Sequence, residues 1–440
     1  MDESTEAPPG SGGFRTFVCL WLAQVLSTLG SGFTTFGLGV WVYQQTGSAT
    51  QYALISFFTL LPGLLVAPMA GALVDRLDRR LLLILCDGMS GVSTLALLYL
   101  FSTGSLETWH IYTLGAINST FTSLQMPAFT ASVSLLVGPR QLGRAAGMSQ
   151  VGDAASRILA PLGAGALMAQ VSLLGLLVID LASLVLAILT LAFLKIPNPS
   201  STATEASQTD RPSLFEDARE GMRYIAERPG MLALLLMVMW VNFALGIVQT
   251  LLAPLVLSMA SPKALGMVLS VSAVGLLVGG LVMAIWGGPA RRIPMVFLCV
   301  TIQAIVLWVA GLSASVPMLA ACSFGFMLAM AIQASCSTAF WQSKVPPQLQ
   351  GRVFALRSMV GRACLPLAFL VGGPLAEKVL EPLVHAWFQG SALDGSEPGI
   401  RLLFVVMGVW LVGVLAAGYS YPRLRRVEDE LPDMLPDSAD

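Results

Sequence analysis

The sequence predicts an all-α membrane protein with twelve transmembrane helices in two pseudo-symmetric six-helix bundles. Three observations predict it. Of 440 residues, 55% are apolar and only 11% charged, whereas soluble domains carry about 25% charged residues. Mean hydropathy is +0.77. The apolar residues fall into twelve runs, and the two sets of six echo each other. So few charges could not cover a soluble surface, which excludes an ordinary cytosolic enzyme and a disordered scaffold. A net charge of −1 gives no field for a polyanion, so no nucleic-acid partner is expected.

A hydrocarbon core about 30 Å thick needs about 20 apolar residues in a helix. Runs of that length cover approximately 15–43, 51–74, 80–103, 109–136, 144–170 and 173–195, then 230–257, 264–287, 294–313, 316–342, 351–377 and 400–421. Only the stretch around Gln170 to Ser172 divides the fifth run from the sixth. With both termini in the cytosol, the inner breaks hold eighteen of the 24 Lys and Arg. The outer breaks hold Lys263, Lys378 and Arg401, and Arg157, Arg357 and Arg362 lie inside spans. The positive-inside rule therefore predicts cytoplasmic termini and, with them, a multi-pass protein of the plasma (bacterial inner) membrane.

These breaks define five parts: a disordered head at 1–13, a bundle at 14–195, a cytosolic linker at 196–229, a second bundle at 230–421 and an acidic disordered tail at 422–440. The head is acidic and lacks a positive n-region, so no cleaved signal peptide is expected. Within the linker, Leu214, Ala218, Met222 and Ile225 share one helical face. That pattern predicts an amphipathic helix at the inner membrane surface, or else a solvated connector.

The bundles share a motif between their fourth and fifth spans. Val137 to Arg144 and Val345 to Arg352 both read V-x-P-x-x-x-G-R, offset by 208 residues. Arg79-Arg80 follows the second span of the first half, and Arg291-Arg292 that of the second. Parallel repeats of this kind are the arrangement of transporters whose site lies between two halves.

Residues 71–80, GALVDRLDRR, resemble the G-x-x-x-D-R-x-x-R-R signature of the major facilitator superfamily, with Asp78 where a glycine is common. The segments QMPA at 125–128, WQSKVPPQLQGRVF at 341–354, GPL at 373–375 and YPRLRRVEDE at 421–430 resemble its macrolide-efflux and enterobactin-exporter-like branch. The resemblance runs over nearly all of 14–432. It implies the major facilitator fold and a secondary exporter of the drug:proton antiporter type. The usual fourth-span arginine motif is absent, and APLGAG at 160–165 stands where antiporters show G-P-x-x-G-G; proton antiport is left open. The resemblance also implies an inner gate made of Gly71, Asp75, Arg76, Asp78, Arg79 and Arg80 with Gly351 and Arg352. There Asp75 would latch against the positive N-terminus of the eleventh helix; alternatively the arginines only set topology.

Charges inside spans are costly and so point to function. Asp153 lies nine residues past Arg144, about 13 Å along a helix. Arg157 is one turn further on, and Arg362 lies beside the position the repeat makes equivalent to Asp153, with Arg357 nearer the surface. In one reading Asp153 exchanges a proton while Arg157, Arg357 and Arg362 tune it or meet an anionic group. In the other, Asp153 and Arg157 form a structural ion pair. Asp87 is expected to pair with the arginine loop, and Asp180 has no evident partner.

The remaining polar groups suit a cavity. In spans one, four, seven and ten, which line it in the superfamily, stand Gln24, Asn118, Gln125, Asn242, Gln249 and Gln333. Phe33, Phe121, Met126, Phe243, Phe326 and Met330 add an adaptable wall.

Cys19, Cys86, Cys299, Cys322, Cys336 and Cys364 have no ligand spacing, and His110 and His385 are the only histidines; no metal and no cofactor are expected. A G-x-x-x-x-G-K-[ST] motif is absent, so ATP does not drive the chain directly. No intramembrane His or clustered acid pair supports an enzyme. Head and tail are too short for a signalling domain. The function expected is export of a hydrophobic or amphipathic small molecule (a macrolide-like drug, a siderophore or another secondary metabolite) by alternating access. Protons and membrane lipids are the other partners, and the working unit is a monomer. The alternative is a lysophospholipid or related lipid transporter. The intramembrane arginines favour an anionic or zwitterionic ligand.

Overall fold

The computed structural model describes residues 11–138, 141–194, 214–313, 315–391, 393 and 395–432, and these contain helices and no strand. The contacts divide the chain into two compact units. The first comprises 1–47, 54–205 and 262–270, the second 48–53, 206–261 and 271–440. Most of the head, the linker up to residue 213 and the tail beyond 432 lie outside the described residues.

The first unit is built on α1 (Ser11–Thr46), α2 (Ala49–Arg76), α3 (Arg79–Ser102), α4 (Thr108–Leu136) and α5 (Leu142–Phe193). At about 1.5 Å per residue, the 52 residues of α5 would reach more than twice across a bilayer. The helix breaks at Ser172, where φ is 56° and ψ −174°, a backbone state that a non-glycine residue seldom adopts. The break falls in the short join between the fifth and sixth apolar runs, so α5 supplies two limbs.

The second unit contains α6 (Leu214–Ala226), α7 (Pro229–Met259), α8 (Pro262–Trp286), α9 (Arg292–Leu312), α10 (Val316–Lys344), α11 (Pro347–Ala363), α12 (Leu365–Pro374), α13 (Glu381–Trp387) and α14 (Pro398–Ser420). The first residues of α8 belong to the first unit. A π-helical turn, Leu375–Leu380, joins α12 to α13. The eleventh span therefore runs on to Trp387, ten residues past the limit expected from hydropathy. Ten helices among the described residues are long and apolar enough to cross a membrane. Counting both limbs of α5, and adding the 29-residue α4, gives the twelve spans.

Within the first unit, α1 lies along α5. Gly152 permits this, since a Cβ there would stand 2.6 Å from Val25 Cγ2, and the Trp21 indole N–H donates to the Met148 carbonyl (3.0 Å). Asp180 then ties three helices. Its carboxylate accepts from Ser31 (3.2 Å) and Thr34 (2.8 Å) of α1 and from Thr94 (2.9 Å) of α3. It is 1% exposed. Far from lacking partners, it is a buried acid held by three hydroxyls, a network that fixes helix packing where lipid offers no hydrogen bond.

The repeat has a structural counterpart in each unit. Arg79 Nη1 donates to the Ala131 carbonyl (2.9 Å) near the end of α4. Arg292 Nη1 donates to the Ala339 carbonyl (2.8 Å) near the end of α10. Both acceptors stand six residues before the valine of V-x-P-x-x-x-G-R. Each arginine thus places its charge at the negative end of a helix dipole.

In the second unit, α8 packs closely on α10. Cβ atoms at Gly275 and Gly279 would meet the Phe324 carbonyl at 2.4 Å and the Leu328 carbonyl at 2.7 Å, the small-xxx-small contact of membrane helices. Trp240, Phe243 and Trp410 form an aromatic trio with centroids 5.3–6.1 Å apart.

One expectation is corrected here. The tail from Pro422 folds as far as it is described, through α15 (Pro422–Arg425) and α16 (Val427–Glu430). Leu424 and Val427 are buried, and the Glu428 carboxylate accepts from the Arg292 amide (2.7 Å) at the start of α9. Lys344 Nζ donates to the Glu428 (3.0 Å) and Leu431 carbonyls. Acidic composition suggests disorder, but here the acids cap a helix N-terminus and meet basic residues. Helix α6, in turn, buries Tyr224 and Ile225 and leaves Met222 exposed. A Cβ on Gly221 would stand 3.2 Å from the Arg352 carbonyl oxygen, so the helix lies close on α11, with Ile225 of the expected apolar face buried. The side chains of Leu214 and Ala218 lie outside the described ones.

Two outcomes follow from this packing. Asp180→Ala leaves three hydroxyls without their acceptor and should cost about 1–3 kcal/mol for each one that stays unsatisfied, read as a fall in the melting temperature of the purified protein. Gly275→Val should destabilise by about 1–3 kcal/mol through overpacking, whereas Gly280→Val, at a position with nothing within 4 Å, should melt with the parent.

Candidate functional site

Besides the Asp180 network, polar side chains of the described spans gather at two places, one in each unit. In the first unit, Asp87 of α3 is 1% exposed. It accepts from Gln24 Nε2 of α1 (3.1 Å) on one carboxylate oxygen and from Gln125 Nε2 of α4 (2.7 Å) on the other. Gln125 Nε2 also reaches Gln24 Oε1 (3.0 Å). Three helices thus converge on one carboxylate held by two amides, and no ion pair to it occurs among the described residues. Among the described residues Asp87 does not pair with the arginine loop, contrary to expectation; Arg79 and Arg80 are the loop arginines whose side chains are described. Those guanidiniums are engaged elsewhere: Arg79 on Ala131, and Arg80 on the Leu191 (2.9 Å) and Ala192 carbonyls.

The expected Asp153–Arg157 ion pair does not form either. Both side chains are exposed, and no hydrogen bond or ion pair joins them. The face of α5 that turns inward carries Ala145, Gly152, Ser156, Ala160 and Ala164. Asp153 and Arg157 each lie one position beyond that stripe, where burial does not force two charges together. Asn118 Oδ1 accepts from Ser90, outside the Asp87 cluster.

In the second unit a cavity of about 390 Å³ opens among α7, α9, α10 and α11. Asn242, Gln333, Arg357 and Arg362 line it, as do Phe326 and Met330. The structure thus brings together two of the expected charged residues and two of the expected polar ones. Gln249 is exposed and not among the lining residues. Asn242 Nδ2 donates to the Gly361 carbonyl (2.7 Å). Arg357 donates to Ser337 Oγ and Thr338 Oγ1 (both 3.2 Å), and its guanidinium lies 5.6 Å from the Trp341 ring centroid. Gln303, which the sequence reading did not single out, lines the cavity and donates to Gln333 Oε1 (3.0 Å). An amide in the middle of an otherwise apolar ninth span was the available signal, since a buried amide needs a partner.

The inner-gate residues act locally where they are described. Asp78 caps α3, accepting from the Leu81 amide (2.9 Å). Arg352 pairs with Glu220 of α6, which fastens the connector helix to the start of α11, and Gly351 has open space around it. Gly71, Asp75 and Arg76 lie on α2, and their side chains are outside the described ones. Among the described residues no group of His, Cys, Asp or Glu is placed to hold a metal ion.

Known proteins fit this architecture. The chain is 27% identical to macrolide efflux protein A of Streptococcus pyogenes over 382 residues, covering 84% of this chain and 91% of that protein. It is 24% identical to the multidrug efflux pump Tap of Mycolicibacterium fortuitum over 420 residues, covering 92% and 95%. Among solved structures, a bacterial homologue of the human lysosomal transporter Spinster, inward-facing and unoccupied, matches with a TM-score of 0.71 at 15% identity over 96% of this chain and 98% of that one. A mutant of the nucleoside transporter NupG matches with a TM-score of 0.73 at 13% identity over 91% and 99%. The family model of the Major Facilitator Superfamily matches residues 20–368, and with its multiple membrane spans the chain belongs to that superfamily of integral membrane transporters.

Proposed function

We propose that this transporter is a proton-coupled exporter of amphipathic small molecules, working as a single chain by alternating access in a bacterial inner membrane with both termini in the cytoplasm. Direction and substrate class are suggested by the relatives, which are named for macrolide and multidrug efflux. The distribution of basic residues supports the orientation. One observation carries the coupling: Asp87 is buried, held by two neutral amides, and has no cation bonded to it among the described residues. A carboxylate so placed takes up and gives back a proton as solvent access alternates, because no counter-charge stands beside it among the described residues. This moves the coupling role from Asp153, which is exposed and has no partner to exchange.

A second reading, movement of a lysophospholipid, is favoured by the two arginines in the second unit's cavity. Inside-out proteoliposomes with an acidic lumen separate the readings when ethidium, erythromycin, a siderophore and a fluorescent lysolipid are presented in turn on the outside and uptake is followed. Movement of the lysolipid alone promotes the second. For coupling, Asp87→Asn should lower gradient-driven flux by about tenfold or more, the effect expected on losing the residue that carries the ion, while substrate exchange without a gradient continues. Asp153→Asn should remain within about twofold of the parent, as for a charge on an exposed face. The reverse ranking would return the coupling role to Asp153.

A further inference from the structure

The cavity of the second unit is unusual for an exporter whose relatives are named for macrolides, because its charge is positive. Arg357 and Arg362 are its only ionisable lining residues, with no Asp or Glu beside them. No ion pair to either guanidinium occurs among the described residues. Arg357 is held in place, with two hydroxyls in front and the Trp341 ring beside it. A guanidinium carries five N–H donors, and those two bonds leave others for a ligand.

A second, independent observation comes from Gln303. Its side chain is 0% exposed, its Nε2 is spent on Gln333 Oε1, and its Oε1 is a buried acceptor with no partner. A buried polar atom left unpaired calls for a missing donor. Val238, Val241, Leu245 and Phe326 supply the apolar remainder of the lining. A volume of about 390 Å³ lies within the usual range for small-molecule sites.

We infer that this cavity is a substrate subsite for an acidic amphiphile, an apolar chain ending in a carboxylate or phosphate with an O–H or N–H donor close by. The two arginines take the anionic group, Gln303 Oε1 takes the donor, and the apolar wall takes the chain. The inference rests on the exporter reading in treating the cavity as a place for cargo. A cationic ligand finds no carboxylate here.

Binding to the purified full chain in nanodiscs, followed by tryptophan fluorescence and calorimetry, tests this with no gradient and no transport step. The probes are N-dodecanoylglycine, its methyl ester, dodecanoate, lysophosphatidylglycerol and dodecyltrimethylammonium. At least one of N-dodecanoylglycine and lysophosphatidylglycerol should bind about tenfold or more tightly than the ester and the cation, the difference expected for charge-assisted hydrogen bonds. Whichever of the two binds better identifies the source of the acidic head, a free acyl amino acid or a lipid. Arg357→Gln and Arg362→Gln should each weaken that binding by about tenfold, while Arg357→Lys, which keeps the charge, should lose less. Gln303→Leu should remove the preference for N-dodecanoylglycine over dodecanoate, which lacks the N–H.

Equal binding of cation and anion, or anion binding that both glutamine variants leave unchanged while eluting as monodisperse protein, would overturn the inference and leave a water-filled cavity only. Gradient-driven flux of ethidium and of the tightest-binding anionic probe by parent proteoliposomes is measured beside these titrations. Efflux without anion preference sinks the subsite alone, whereas anion preference without any flux sinks the exporter reading.

Discussion

A polar group inside a hydrocarbon layer has to find its partner within the protein, because lipid offers neither donor nor acceptor. The organisation of this transporter follows from that constraint. Asp180 gathers Ser31, Thr34 and Thr94, and in doing so fixes α1 and α3 against the second limb of α5. Asp87 gathers Gln24 and Gln125 and draws α1, α3 and α4 to one point. The two carboxylates sit in the same unit and are equally buried, yet their surroundings differ. Three hydroxyls from packed helix faces make Asp180 a clasp. Asp87 is held by two amides that also bond to each other, a looser setting that suits the proton exchange proposed for it.

The repeat shows how one scaffold came to hold opposite chemistries. Gln125 and Gln333 stand at the same offset of 208 residues as the V-x-P-x-x-x-G-R motif, so they occupy equivalent places in α4 and α10. Ala131 and Ala339, which receive Arg79 and Arg292, share that offset as well. Around this common frame the partners diverge. Gln125 meets an aspartate; Gln333 meets a glutamine whose other amide atom is unpartnered. The position equivalent to Asp153 is Gly361, whose carbonyl receives Asn242. The backbone arrangement is repeated while the charge is not.

The spans were legible because the bilayer sets both the length and the polarity of a helix that crosses it, and hydropathy reads both. Even the break at Ser172 lay in the gap between two runs. What hydropathy missed was decided by single contacts. The eleventh span continues to Trp387 past Lys378 and Glu381 because one turn of charge does not end a helix held by neighbours. The tail folds because Glu428 has an exposed helix N-terminus to cap, and a composition count does not show that. At the site, the residue types were legible and the pairings were not. Asn242 and Gln333 line one cavity, and with them stand Arg357 and Arg362, whose span was not among the four taken to line it. Asp153 and Arg157, four apart on one helix, remain separate, since such spacing permits an ion pair without compelling it. Gln303 and Asp87 lay outside the spans taken to line the cavity, and only the convergence of helices reveals their partners.

The separation of charges bears on how such a carrier changes state. A bare charge is costly to carry through hydrocarbon, so each site needs a neutral form in which its unit moves. In the mechanism proposed above, a proton on Asp87 would give the first unit that form, and an anionic ligand on Arg357 and Arg362 would give it to the second. Were the acid and the arginines paired directly, as Asp153 and Arg157 were expected to be, each would already be neutralised and neither would need the proton or the ligand. Keeping the acid among amides and the arginines among hydroxyls and a tryptophan ring leaves both charges to be balanced from outside. On the proposed reading, that requirement for an outside partner is what would link a proton gradient to the movement of cargo.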